Sequence, residues 1–256
     1  MTTLRIYVCG RLAIETDRHR ILERDFPARQ GKLLWSYLVV HRQRMTGRIE
    51  LAEAIWGEDI PDGWDSTLSA VASRLRAKLR PMRGQWPELT ITSESGRLRL
   101  SIPGGTFVDR DRARAGLHAA ETALRSNNLQ CALSEARVAM EIAARGFMEG
   151  EDAPWIEGER RLLQDIRVHA WECTIEAELA RSYFQRAERE SEALIGVDPL
   201  NEKAYRLQMQ ASAAMGNRSG AVRAMDRCRT ALRETVGINP SPETERLFAD
   251  LMHKPA

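Results

Sequence analysis

The chain has 256 residues, room for two domains of ordinary size, and its 43% hydrophobic and 29% charged content is that of a folded protein rather than a disordered one. No run of eighteen apolar residues occurs, so neither a membrane-spanning helix nor a membrane partner is expected. The net charge is only +2, yet residues 1–103 carry 17 Lys and Arg against 12 Asp and Glu, a net of +5 that leaves −3 for the remainder. A basic N-terminal half on an acidic C-terminal half is the balance of a nucleic-acid reader joined to a protein-binding module.

The opening residues Met1–Val8 read as a strand rather than a signal peptide, so a cytoplasmic location is expected. Leu4–Cys9 alternates apolar and polar residues, Leu12–Glu15 follows Gly10 and Arg11, and a third strand is expected near His19–Leu22. A helix over Ala28–Gln43 comes next, with Leu33, Leu34, Tyr37, Leu38 and Val40 on its apolar face, Trp35 widening it and Gly31 loosening its first turn. Thr46 and Gly47 precede a shorter helix, Arg48–Trp56, whose Leu51, Ala52 and Ile55 point inward. Gly57 ends it, and Pro61-Asp62-Gly63 leads to the most informative stretch.

That stretch is Asp65–Arg83. Leu68, Val71, Ala72, Leu75 and Leu79 recur at helical spacing, so one stripe faces a core. Asp65 or Ser66 is expected to cap the helix, and Pro81 to stop it past Arg80. The opposite face holds Ser66, Ser69, Ala70, Ser73, Arg74, Ala77 and Arg80, flanked by Arg76 and Lys78, with no acid between Ser66 and Arg83. Ordinary solvent faces mix both signs. Short side chains let a helix backbone approach a polyanion while guanidinium forks reach phosphates or guanine edges, so this segment reads as a DNA-recognition helix. The other reading is a solvated basic face.

Glu88–Thr92 and Arg97–Ile102 read as a β-hairpin around Ser93-Glu94-Ser95-Gly96, with Arg97 and Arg99 sharing one face. Strands, three helices and a hairpin in that order make a winged helix-turn-helix, in which the third helix enters the major groove and the wing touches the neighbouring groove or backbone. The candidate DNA contacts are therefore Ser69, Ser73, Arg74, Arg76 and Arg80 on the helix and Arg97 and Arg99 on the wing. Arg74 and Arg76 are about 200° apart on a helical wheel and cannot both address one base. One winged helix reads few base pairs, so pairing of two chains on repeated half-sites is expected.

Pro103-Gly104-Gly105 breaks the composition, and the expected domains are 1–103 and 104–256. From Phe107 onward the chain reads helical, with turns at Ser126-Asn127-Asn128, Gly146–Pro154, Gly196–Pro199 and Met215–Asn217, and a helix near Trp155–Trp171. Trp171 and Tyr205 are 34 residues apart, as are Ala187 and Ala221, which is the tetratricopeptide period. Ile175 and Met209 stand where such repeats carry a small residue, and Ala132, Ala136 and Ala139 repeat the second-helix pattern after an insertion. Such a solenoid holds other proteins on a concave face, or serves as a packing or dimerisation platform. The expected fold is an α+β winged helix-turn-helix domain followed by an all-α tetratricopeptide-like repeat domain, mainly α overall.

No pattern carries catalysis, a cofactor or a metal. Gln30-Gly31-Lys32 lacks the first glycine and the following Ser or Thr of a phosphate loop, and His19, His41, His118, His169 and His253 have no partner pattern for a triad or a metal. Glu157 and Glu159 beside Arg160 and Arg161 read as a mixed-charge helix surface, and the methionines from 209 to 225 as core filler. Cys9, Cys131, Cys173 and Cys228 are far apart and read as reduced, buried thiols.

Several stretches resemble the bacterial antibiotic-regulatory-protein (SARP) activators, which join an OmpR-like winged helix to a bacterial transcriptional activator domain (BTAD) of tetratricopeptide type. They are Arg48–Gly57, Leu68–Leu79, Trp155–Leu163, Asp198–Glu202 and Gly237–Glu243, in order across nearly the whole chain. Two positions depart from the family pattern: Ser66, where Asn is common, and Arg97 after Gly96, where an aromatic is usual. Both lie on the expected DNA surface, so no target sequence is carried over. The resemblance implies binding to double-stranded promoter DNA at direct repeats, recruitment of RNA polymerase and activation of an operon, with no sensor or nucleotide-binding module following. On the residues alone, a repeat scaffold without specific DNA recognition and a repressor on the same fold remain open.

Overall fold

The computed structural model describes residues 3–253. They divide by contact into two compact units, one comprising the chain through Arg112 together with Arg145–Leu163, the other Ala113–Ala144 and the residues from Gln164 onward. This division differs from the boundary expected at 103/104, for reasons that begin with the first unit's sheet.

The first unit contains β1 (Arg5–Tyr7), β2 (Ala13–Glu15), β3 (Arg20–Leu22), α1 (Ala28–Val40), β4 (Thr46–Gly47), α2 (Arg48–Trp56), α3 (Trp64–Leu79), β5 (Thr90–Glu94), β6 (Arg97–Ser101) and β7 (Phe107–Val108). Strands β3-β2-β1-β7 form one sheet and β4-β6-β5 a second. The three opening strands lie where alternation placed them. Phe107 and Val108, expected to begin helical structure, instead pair in parallel with Arg5 and Ile6. That pairing keeps the chain beyond the Pro103-Gly104-Gly105 break within the first unit.

Asp109, the first residue of α4 (Asp109–Arg125), strengthens the same joint. It is fully buried, and its carboxylate accepts the backbone N–H groups of Val8 (2.9 Å), Cys9 (3.1 Å) and Arg110 (2.8 Å). Burial raises its pKa, and those three bonds oppose the rise. Arg110 is also buried and grips both oxygens of Glu159, with Nη2 at 2.8 Å from Oε1. Glu159 is thus half of an enclosed ion pair rather than part of a mixed-charge surface; only Glu157 matches that expectation, half-exposed beside Arg160. Gly10 donates to the Gly146 carbonyl (2.9 Å), and the Trp155 indole donates to the Ala54 carbonyl (3.0 Å) while meeting the Tyr37 and Phe147 rings edge-on. Residues 145–163 are therefore built into the first unit.

The centre of that unit is α1, buried from Leu33 through Val39, with Val40 half-exposed where an inward position was expected. The helix stops at Val40, three residues before the expected end. Gly31 has a packing role: a Cβ there would lie 2.7 Å from Cδ of Pro27, whose carbonyl accepts the Gly31 N–H at 2.8 Å. The corner between α1 and α2 is closed by Glu50, which accepts the Tyr37 hydroxyl (2.6 Å) and two N–H groups of Arg44.

The second unit holds the rest of α4, α5 (Leu129–Ala143), most of α6 (Pro154–Ala180), α7 (Phe184–Val197), α8 (Glu202–Ala214), α9 (Arg218–Val236) and α10 (Pro242–His253). The repeat residues pack as their period requires. Trp171, Ile175, Ala187 and Tyr205 share one core cluster, and Met209, Ala221, Ala224 and Met225 form another, covered by Leu247, Phe248, Leu251 and Met252 of α10. Cys9, Cys173 and Cys228 are buried thiols, the latter two pushed by burial to about 12 and about 11. Cys131 is only half-buried, packed at the edge of the cluster of Ala123, Ala132, Leu133 and Ala177.

Two variants test this packing. Gly31→Ala should destabilise the first unit by about 1–3 kcal/mol, read in thermal melts, because the added methyl meets a proline ring held by its own hydrogen bond. Glu50 is held at about 2, below its ordinary 4.5, chiefly by its hydrogen bonds to Arg44. A depressed carboxylate contributes stability that is present above 4.5 and lost as pH falls through about 2. Glu50→Gln should therefore lower the melting temperature at pH 7, and its difference from the parent should close between those two pH values.

Candidate nucleic-acid interface

Helix α3 buries Leu68, Val71, Ala72, Leu75 and Leu79, the stripe its spacing requires, and turns the remainder outward. It begins differently from expectation. Gly63, in the left-handed region at φ 71°, is the cap residue, and its carbonyl accepts the Ser66 hydroxyl at 2.8 Å. Ser66 and Asp65 therefore lie inside the first turn. A left-handed cap position is open to glycine at little steric cost, which explains why Gly63 takes it. Pro81 converts the chain after Leu79 into one 3-10 turn, Arg80–Met82, ending the helix close to where expected.

The crest of the outward face is Ser66, Ala70, Ser73 and Ala77, spaced four, three and four residues apart, so it is one smooth ridge along the helix. Arg74 stands on one side of this ridge and Arg80 on the other. Both are exposed, as are Ser69, Ser73 and Lys78. The side chains of Arg74, Lys78 and Arg80 have no partner among the described residues.

Arg76 occupies a different place. It is half-buried, and its Nε donates to the Ile91 carbonyl of β5 at 2.8 Å, strapping α3 to the hairpin. Ser69 is also engaged: its hydroxyl donates to the Asp65 carbonyl (2.9 Å) and accepts from Arg48 Nη2 (2.8 Å). Arg48, the first residue of α2, additionally reaches the Asp65 carboxylate and the Asp65 carbonyl (2.6 Å). The one acid at the start of α3 is thereby matched by a fixed guanidinium. Arg48 is the residue of this face that sequence reasoning missed; it is 17 residues from Asp65, and no local period links the two.

The hairpin is tighter than its sequence suggested. Strand pairing runs unbroken from Thr90↔Ser101 to Glu94↔Arg97, leaving Ser95 and Gly96 as a two-residue turn with φ of 47° and 72°. Two positive φ values in succession match the right-handed twist of the strands. Leu98 and Leu100 face inward while Arg97 and Arg99 stand exposed on the outer face, without side-chain partners among the described residues. Glu94 is the direct cross-strand neighbour of Arg97, which lessens the positive charge at the tip. On the other edge of β6, Thr46 and Gly47 of β4 pair with Leu98 and Arg97, so the wing is hydrogen-bonded to the strand that opens into α2. This third strand was not expected.

Of the seven candidate residues, five present free or exposed groups outward (Ser73, Arg74, Arg80, Arg97 and Arg99), while Arg76 and Ser69 are held by neighbouring backbone and side chains.

The bacterial transcriptional activator domain matches residues 108–252, more than half of the chain. The chain belongs to that family. The SARP resemblance read from the sequence stands with it, and so does the fold of winged helix plus helical repeats. Among relatives, the regulatory protein AfsR of Streptomyces coelicolor is 27% identical over 85% of this chain and 21% of its own length. The transcriptional regulatory protein EmbR of Mycobacterium tuberculosis is 30% identical over 82% of this chain and 54% of its own. This chain thus spans about a fifth of AfsR and about half of EmbR. A solved structure of Mycobacterium tuberculosis EmbR in complex with a low-affinity phosphopeptide shares the fold, with a TM-score of 0.89 at 24% identity, covering 100% of this chain and 67% of that one. Among the described residues no helix is long and apolar enough to cross a membrane.

Breaking the strap between helix and wing has a measurable effect. Arg76→Leu leaves the Ile91 carbonyl without its charged partner and should cost about 1–3 kcal/mol. Hydrogen exchange should speed up in residues 90–101 more than in α1.

Proposed function

We propose that the chain is a sequence-specific DNA-binding transcriptional regulator, an activator that occupies promoter direct repeats as a dimer and recruits RNA polymerase. The observation that carries this reading is the α3 crest: small side chains along its length, unpartnered arginines to either side, and its one acid matched by Arg48. In a major groove, Ser66 and Ser73 would permit close approach, and Arg74 and Arg80 would reach phosphates or guanine edges on opposite sides. Arg97 and Arg99 would meet the backbone beside it. Arg76 and Ser69 contribute mainly by position, holding wing and helix in one orientation.

Membership of an activator-domain family supports activation over repression, and residues 104–256 would carry the activating role while 1–103 carry DNA binding. The protein acts in the cytoplasm, without a catalytic centre or cofactor of its own.

Selection from a randomised duplex library, run at two salt concentrations, tests the reading. The parent chain should enrich a repeated motif, and Arg74→Ala/Arg80→Ala should lose it. Each phosphate contact removed should also lower the slope of log affinity against log salt by about one. Equal, unselective binding by both chains would overturn the proposal in favour of a protein-binding scaffold.

A further inference from the structure

Three corners in the second unit are built alike. At each, the second residue past the first helix has positive φ and is followed by the cap residue of the second helix: Asn127-Asn128, Ser182-Tyr183 and Gly216-Asn217. The same pair of backbone bonds closes each one, Tyr183 N to Glu178 O and Ser182 N to Leu179 O (both 2.9 Å) being the middle pair. At the outer two corners the Asn side chain caps the next helix, accepting from Cys131 N and Gly220 N. At the middle corner Tyr183 makes no side-chain cap and is 43% exposed. A stabilising cap is given up here for an exposed aromatic.

That ring stands in a cavity of about 400 Å³ between α5 and the α6–α7 corner. The guanidinium of Arg181 lies 4.8 Å from the ring centre and that of Arg186 5.3 Å. Arg137 projects from α5 across the cavity, beside Leu133. Beneath them is Glu178, only 2% exposed. Its Oε1 is 3.5 Å from Arg137, and its buried Oε2 has no hydrogen-bond partner. Oε2 is closed to solvent, so Glu178 answers Arg137 from within the wall of the cavity.

Three guanidiniums around one enclosed carboxylate call for an acidic occupant. Leu133 and the exposed Tyr183 beside them offer apolar surface as well. An inorganic anion satisfies only the first. An acidic peptide satisfies both, since it carries hydrocarbon along with its charge. The lining residues of α5 run over two helical turns, about 10 Å, the length of about three extended residues. We propose that this groove binds an acidic peptide segment in extended form, its carboxylates held by Arg137, Arg181 and Arg186.

Fluorescence anisotropy of a labelled, capped hexaglutamate peptide with the full chain tests this. The parent should bind it and ignore the hexaglutamine counterpart. Arg137→Ala/Arg186→Ala should bind about tenfold more weakly or worse, with its circular dichroism and duplex selection unchanged. Arg74→Ala/Arg80→Ala, altered on the α3 face, should keep the peptide. Tyr183→Asn should weaken binding while holding or raising the melting temperature, because it restores the cap found at the other two corners; a merely structural tyrosine would show the reverse. No hexaglutamate binding by the parent, equal binding by the Arg137/Arg186 variant, loss confined to the Arg74/Arg80 variant, or displacement by inorganic phosphate as readily as by unlabelled peptide would each overturn the proposal.

Discussion

One buried carboxylate holds the first unit together. Asp109 sits where β7 turns into α4, and it collects the backbone N–H groups of Val8 and Cys9 at the end of β1 as well as that of Arg110. A carboxyl with no exposure is tolerable only because three donors replace its water. Arg110, next in the chain, is enclosed too and is satisfied by Glu159, forty-nine residues on. These two adjacent residues tie the strand sheet, the start of α4 and the returning segment into one body. The α1 core closes around that body, and α2 and α3 pack against α1.

The interface face rests on this foundation through a division of labour among arginines. Arg48 and Arg76 are anchored to α3 and β5, and they fix geometry. Arg74, Arg80, Arg97 and Arg99 extend from that geometry without partners among the described residues. A cation already paired inside the protein must break that pairing before it can meet a phosphate, whereas an unpartnered one meets it directly. Net charge alone conceals this difference.

Much of the fold was legible because periodicity is local. The buried stripe of α3 and the spacing of Trp171 with Tyr205 and of Ala187 with Ala221 all follow from which residues recur on one face, and all pack accordingly. What escaped was non-local or too short to have a period. Strands β4 and β7 contain two residues each, and only their partners define them. The pairings of Arg48 with Asp65, Arg76 with Ile91 and Arg110 with Glu159 join residues that sequence spacing does not relate. The cap of α3 was misplaced for a different reason. Asp65 and Ser66 both have capping side chains, but Gly63 can enter the left-handed region upstream and starts the helix first. Within the candidate interface, the exposed arginines were legible as types on a face, whereas the commitment of Arg76 to a strand carbonyl depended on where the hairpin came to rest.

The attachment of β4 to β6 bears on how this surface meets a ligand. The wing is bonded on one edge to the strand leading into α2, and its other strand is strapped to α3 by Arg76. Helix and wing thus lose their relative freedom when the chain folds, before any ligand is present. A surface ordered in advance has little conformational entropy left to surrender on docking. Its association should carry the small heat-capacity change of rigid bodies meeting rather than the large one of a segment folding onto its target. The rate of encounter is then governed by orientation and long-range attraction, because the surface is assembled before any ligand arrives.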